Sequence, residues 1–158
     1  MDASQWIAGF RSVHQLVRSG GATEADGEQH RGMCEELARS MMASQGQRLA
    51  DGVDARKQFK VAQVYAVEVN NLYRAVTREV SCTSFSAVLP DGFKVGQLVT
   101  FSLQLGRGAE PITGQARATE VVKQKGSARV AFTIEVIGKA ASAQLELALF
   151  DAVLARLK

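Results

Sequence analysis

The apolar residues of this chain change their spacing once, and that change limits the folds open to it. Up to Leu49-Ala50-Asp51-Gly52 they recur at the helical interval of about 3.6 residues, and beyond it they alternate with polar ones. A helical part therefore precedes a part built mainly of strands. The stretch from Arg56 to Leu89 stands at the switch. It reads as a basic entry segment, a strand, a turn at Asn70-Asn71, a returning strand, and a polar corner that opens a third strand.

In the helical part, Trp6, Phe10, Val13 and Val17 form one apolar stripe over residues 4–17, with Arg11, Gln15 and Arg18 on the other side. An isolated helix of that length is marginal in water, so it must dock on the rest of the chain or on a partner. Residues 19–27 are small, polar and Gly-rich, and are expected to be a flexible linker. A second helix is predicted over residues 28–46, with Met33, Leu37 and Met41 on one face and Cys34, Ala38 and Met42 beside them. That stripe is either core-facing or an adaptable binding face, because thioethers fit irregular partners.

Beyond Gly52, Phe59, Val61, Tyr65, Val67 and Val69 alternate with a second row that is itself partly apolar (Ala62, Val64, Ala66), which predicts a strand covered on both faces. Val76 and Val80 mark the returning strand, Ala87-Val88-Leu89 the next, and Pro90-Asp91-Gly92 a turn. Val99, Phe101, Leu103 and Leu105 alternate again. So do Ala128, Val130, Phe132, Ile134 and Val136. Between these runs, Gly114, Ala116 and Ala118 suit a strand bending around a barrel corner. Strands at intervals of roughly a dozen residues argue for six of them closed into an antiparallel barrel, which removes exposed edges. A closing helix is predicted from Ala140, with Leu145, Leu149, Val153, Leu154 and Leu157 on its apolar face and Lys158 where positive charge suits the helix dipole. The fold class is mainly β with flanking helices: residues 1–52 form a helical extension, and residues 53–158 a barrel with a carboxy-terminal helix.

The 158 residues, 46% of them apolar, suffice for one packed domain with an extension. A net charge of +3, spread along the chain, gives little general pull on nucleic acid or acidic lipid. Cys34 and Cys82 frame no disulfide scaffold and are expected to be reduced. The first residues carry no basic leader pattern, and no apolar run approaches the roughly 20 residues that cross a bilayer, so a cytoplasmic protein without membrane insertion is expected.

Arg56, the strand and hairpin after it, and the corner Cys82-Thr83-Ser84-Phe85-Ser86-Ala87 resemble a PilZ domain, over roughly residues 56–153. The resemblance implies a six-stranded barrel. In its ligand-binding form such a barrel holds c-di-GMP with an Arg-x-x-x-Arg segment ahead of it and an Asp/Asn-x-Ser-x-x-Gly corner on it. Guanidinium forks grip phosphate and stack on guanine, the acid or amide meets the guanine edge, and glycine admits the ligand. Arg56 and Ser84 match. Lys60 replaces the second arginine with a point charge, Cys82 replaces the acid or amide, and Ala87 adds a Cβ where glycine stands. Arg56, Lys57, Lys60 and Ser84 are the vestige of a nucleotide site on this reading. Arg74 and Arg78 also satisfy Arg-x-x-x-Arg, but inside the second strand, where they share a face as a basic pair suited to an acidic partner.

Nothing in the sequence reads as an enzyme. His14 and His30 fall in separate helices without an Asp or Cys partner at useful spacing, and are expected on the surface or in helix packing. Gly106-Arg107-Gly108 lacks a phosphate-loop lysine. Lys123, Lys125 and Arg129 lack the interleaved aromatics of a nucleic-acid face. The expectation is a non-enzymatic adaptor with no bound cofactor, c-di-GMP binding being weak or lost. The resemblance implies a bacterial setting such as motility or type IV pili, and a signalling or motility protein as partner. Its contact surfaces are expected to be Trp6, Phe10, Met33, Leu37 and Met41 on the helices and Arg74 and Arg78 on the barrel. Two other readings stay open: a c-di-GMP receptor with an altered site, and an oligomerisation module whose helices pair between copies.

Overall fold

A computed structural model of the chain describes residues 2–157; Lys158 and its expected place at a helix end lie outside them. Two compact units divide the chain. One holds the residues up to Phe59 together with those from Leu154 onward, and the other is Lys60–Val153. The division falls at Phe59/Lys60, a little beyond the change of period after Gly52.

The first unit opens with α1 (Ala3–Ser19) and α2 (Glu24–Ser44). Each starts at a capping box: Asp2 accepts from the Gln5 amide, and Thr23 from the Asp26 amide, with the reciprocal side-chain bonds present in both. Gly20 ends α1 in the left-handed conformation at φ 79°. The stretch 19–27, expected to be a flexible linker, is thus a four-residue turn between two capped helix ends. Its polar residues Thr23 and Asp26 are helix-start chemistry. A short α3 (Ala55–Gln58) follows, held by α2: Glu35 accepts from the amides of Ala55 at 2.8 Å and Arg56 at 3.2 Å.

The second unit is a closed antiparallel barrel in the order β1-β2-β3-β6-β5-β4. Its strands are β1 (Ala66–Val69), β2 (Tyr73–Val80), β3 (Ser84–Pro90), β4 (Leu98–Gln104), β5 (Ile112–Gln124) and β6 (Ser127–Ile137), followed by α4 (Lys139–Arg156). Asn70 and Asn71, both at positive φ, turn β1 into β2 at the predicted place. Inside the barrel Phe85 stacks on Phe132 with ring centres 5.1 Å apart and meets Phe101 at 5.3 Å.

The strand predicted from Phe59 is regular only over β1. Before it, Val61 makes an isolated bridge to Val80, and the buried Thr77 hydroxyl does the work of a ladder: it donates to the Gln63 carbonyl at 2.7 Å and accepts from the Tyr65 amide at 2.9 Å. One face of the segment is buried as predicted, at Phe59, Val61, Tyr65, Val67 and Val69. The other is not covered, since Lys60, Ala62, Val64 and Ala66 are exposed. Cover on both faces was expected from the small apolar residues of that row, but these lie on the outside of the barrel wall.

At Gly114 β5 passes so close to its neighbours that a Cβ would stand 2.1 Å from the Val136 carbonyl oxygen and 3.0 Å from the Phe101 ring. The backbone oxygen cannot rotate away, so any side chain must push β5 and β6 apart. Gly114→Ala should cost roughly 2–3 kcal/mol of barrel stability, the scale of an overpacked core. Urea unfolding followed by near-ultraviolet circular dichroism checks it, and a loss below about 0.5 kcal/mol would contradict the close approach.

Candidate functional site

On the first unit, α3 carries Arg56 and Lys57. The Arg56 side chain is only 15% exposed, and its guanidinium pairs with Asp54 at 3.2 Å. Glu35, which receives the Arg56 amide, is also bonded by Arg39 at 2.9 Å. Arg56 is therefore held by backbone and side chain within its own unit. Lys57 is exposed.

The corner at residues 82–87, expected to be the vestige of a nucleotide site, lies on the second unit at the start of β3. Ser81 organises it: its hydroxyl pairs with the Ser84 hydroxyl at 2.7 Å and accepts from the Thr83 amide at 3.2 Å, while its amide donates to the Ser84 carbonyl at 2.8 Å. The Ser84 hydroxyl is thus engaged inside the corner. Cys82 and Ala87 are buried, and neither cysteine is in a disulfide. Lys60 is exposed at the start of this unit. Arg56 and Lys57 therefore belong to one unit, and Lys60 and Ser84 to the other.

Arg74 and Arg78 are both exposed on β2. Glu68, directly opposite Arg74 on β1, approaches its guanidinium at 3.5 Å, yet the Arg74 side chain remains 89% exposed. Beside it lies a depression of about 260 Å³ lined by Ala66, Glu68, Ser102, Gln104 and Pro111.

The residues expected to form a contact face on α1 and α2 fare unequally. Phe10 is fully buried, stacked between Trp6 at 5.6 Å and His30 at 5.7 Å, so it offers nothing to a partner. The line of α2 that turns into the helical pair is His30, Cys34, Ala38 and Met42. Met33, Leu37 and Met41 sit one position round the helix and are half-buried. Trp6, Ile7 and Leu37 line a groove of about 300 Å³ with Ala3, Glu36, Ser40 and Leu157.

Between α1 and α2 lies a cluster not anticipated from the sequence. His14 Nδ1 and His30 Nε2 are 2.9 Å apart in a buried hydrogen bond, and Cys34 Sγ lies 3.5 Å from His30 Nε2. The expectation that His30 has no cysteine at useful spacing is corrected by Cys34, one helical turn on. The spacing of four residues was the available signal. Among the described residues no group of three such side chains is placed to hold a metal ion. Burial, and then the neighbouring His14, lower the His30 pKa from the ordinary 6.5 to about 4.

No protein-family model matches the chain, and no curated protein sequence matches it. Solved structures do. The Bacillus subtilis inhibitor of motility MotI/DgrA matches with a TM-score of 0.54 and 16% identity, over 61% of this chain and 49% of that one. Escherichia coli YcgR in complex with c-di-GMP matches with a TM-score of 0.50 and 14% identity, over 60% of this chain and 44% of that one. The isolated PilZ domain of YcgR with c-di-GMP gives a TM-score of 0.48 at 15% identity, over 62% of this chain and 89% of that one. The chain spans about half the length of the first two proteins.

The lowered His30 pKa fixes a sign. Above pH 6.5 both states are neutral. Below it the unfolded histidine takes a proton that the folded one refuses until about pH 4, so stability is lost as pH falls through that window. The helical melting midpoint should fall by roughly 5 °C between pH 7 and pH 5. His30→Phe should flatten this dependence; an unchanged slope in the variant would show that other groups set it.

Proposed function

We propose, on the premise that the barrel is PilZ-like in fold, that this chain is a non-enzymatic signalling adaptor that regulates bacterial motility through protein contacts, with c-di-GMP binding weak or lost. The observation that carries the reading is the state of the polar groups at the positions the resemblance assigns to the nucleotide. The Arg56 guanidinium is paired with Asp54 and mostly buried, and the Ser84 hydroxyl is bonded to Ser81. A ligand gripped by either residue would first have to break that arrangement, and lysine, a buried cysteine and a buried alanine stand at the remaining three positions. The solved relatives in fold support the setting: one is by its description an inhibitor of motility, and another binds c-di-GMP.

The basic pair on β2 is the contact surface this reading favours on the barrel. Arg74 projects into solvent beside a shallow depression, and a planar guanidinium suits bidentate recognition of a carboxylate. On the helices the surface is the Trp6 and Leu37 groove, flanked by the half-buried Met33 and Met41. Among the described residues no helix is long and apolar enough to cross a membrane.

Calorimetric titration of c-di-GMP at moderate salt tests the first part, because phosphate contacts look stronger at low ionic strength. No saturable heat is expected below about 100 µM, equivalent to less than about 6 kcal/mol of binding energy. Micromolar binding abolished by Arg56→Ala would instead establish a receptor with an altered site. The adaptor surface is tested by recovering partners from bacterial extracts: the double variant Arg74→Ala, Arg78→Ala should lose at least about 90% of the captured partner, a penalty of roughly 1.4 kcal/mol or more. Undiminished capture would remove the β2 pair from the contact surface.

A further inference from the structure

The barrel is closed, but β5 outruns one of its neighbours. β4 pairs with β5 from Leu103↔Ile112 to Leu98↔Arg117, and the ladder ends with Gly96 and Gln97 exchanging hydrogen bonds with Ala118 at 2.7 and 2.9 Å. There the chain turns away. Gly96 adopts φ 92°, the Lys94–Gln97 turn closes at 3.1 Å, and Arg117 clamps the Gly96 carbonyl at 2.8 Å while paired to Glu135 at 2.7 Å. β5 nevertheless continues to Gln124, bonded on its other side to β6 through Glu120↔Ala131 to Gln124↔Ser127. Thr119-Glu120-Val121-Val122-Lys123-Gln124 is therefore an open strand edge, and all of it but the half-buried Val121 is exposed.

Which backbone groups face outward follows from the ladder. Neighbouring residues of an antiparallel strand turn their amides to opposite sides. The two-residue turn Lys125-Gly126 makes Gln124 and Ser127 a pair bonded to each other, so Val122 and Glu120 also face β6. Val121 and Lys123 are left presenting N–H and C=O to solvent, in the slot that β4 would fill had it begun earlier. The segment holds no proline or glycine and has three β-branched residues in six, which favours continued pairing.

We propose that this edge receives an extended acidic peptide segment of a partner protein as an added antiparallel strand, in line with β4. Charge selects the occupant. Among the described residues no acidic side chain pairs with Lys123 or with Lys125 at the adjoining turn, whereas Glu120 is already offset by Arg129 at 3.9 Å. Apolar surface is available on both sides of the slot: Val122 is 39% exposed, and Val95, in the turn where β4 departs, is 66% exposed. An incoming strand alternating Glu and Val would place carboxylates by the lysines and β-branched groups by the valines. A second copy of this chain fits less well, because its own edge is basic. The edge is distinct from the β2 pair and from the helical groove, and it is independent of the adaptor reading.

The test is titration of an eight-residue peptide of alternating Glu and Val into the isotope-labelled protein, followed by nuclear magnetic resonance. The amides of Val121 and Lys123 should shift first and become protected from exchange, with a dissociation constant in the range of roughly 10–500 µM. The same peptide N-methylated at every amide should not bind. Lys123→Glu should weaken binding about tenfold, and Lys123→Pro, which removes a solvent-facing N–H without breaking the β6 ladder, should abolish it. Equal binding of the N-methylated peptide, shifts confined to β2 or the helices, or no binding at millimolar peptide would each overturn the proposal. So would concentration-dependent self-association that the peptide fails to disperse.

Discussion

Closing a sheet of only six strands leaves a narrow interior, and most of the barrel follows from that constraint. Where strands press closest, the inward residue has to be small: Gly114, Ala116 and Ala118 on β5, Ala87 on β3 and Ala128 on β6. The remaining space is taken by Phe85, Phe101 and Phe132, whose rings pack within 5.3 Å of one another through Phe85. Closure itself depends on β1, which is only four residues long and bridges β2 and β4. Asn70 completes the seam with β4. Its amide donates to the Thr100 carbonyl at 2.9 Å, and its side-chain oxygen accepts from the Thr100 amide at 3.0 Å. One asparagine thus provides a turn conformation and two of the bonds that shut the barrel.

The alternation of Val99, Phe101 and Leu103, and of Ala128, Val130 and Phe132, was legible because each strand has one buried face and a two-residue period has no other explanation. The Asn70-Asn71 turn and the small residues of β5 were legible for the same reason: their chemistry has a single common use. Two features were not. The polar run before α2 resembles a linker until Thr23 is recognised as a cap with Asp26 three residues on, because flexible segments and helix starts draw on the same residue types. The stretch before β1 alternates like a strand, but between the Val61↔Val80 bridge and β1 its backbone bonds in part to the Thr77 side chain, and a pairing of that kind leaves no periodic trace.

The site was legible in identity and less so in state. The sequence shows which residues stand at Arg56, Lys60, Cys82, Ser84 and Ala87, but not that Asp54 and Ser81 engage two of them. Nor does a helical stripe reveal its phase to within one residue. Met33, Leu37 and Met41 were as good a core line as His30, Cys34, Ala38 and Met42, and the histidine line turned inward because His14 on α1 offers a hydrogen-bonding partner there. A buried polar pair that satisfies itself costs little, and hydropathy gives no credit for that satisfaction.

The helical unit is assembled from both ends of the chain. Arg11 on α1 donates to the carbonyls of Leu154, at 2.9 Å, and Leu157, and those residues lie beyond the entire barrel in sequence. During synthesis α1 and α2 emerge before the barrel, and their local contacts let them form early. The carbonyls that receive the Arg11 guanidinium leave the ribosome only after the whole barrel. The helical unit is therefore begun before the barrel and finished after it, and a chain stopped anywhere in the barrel leaves that arginine waiting.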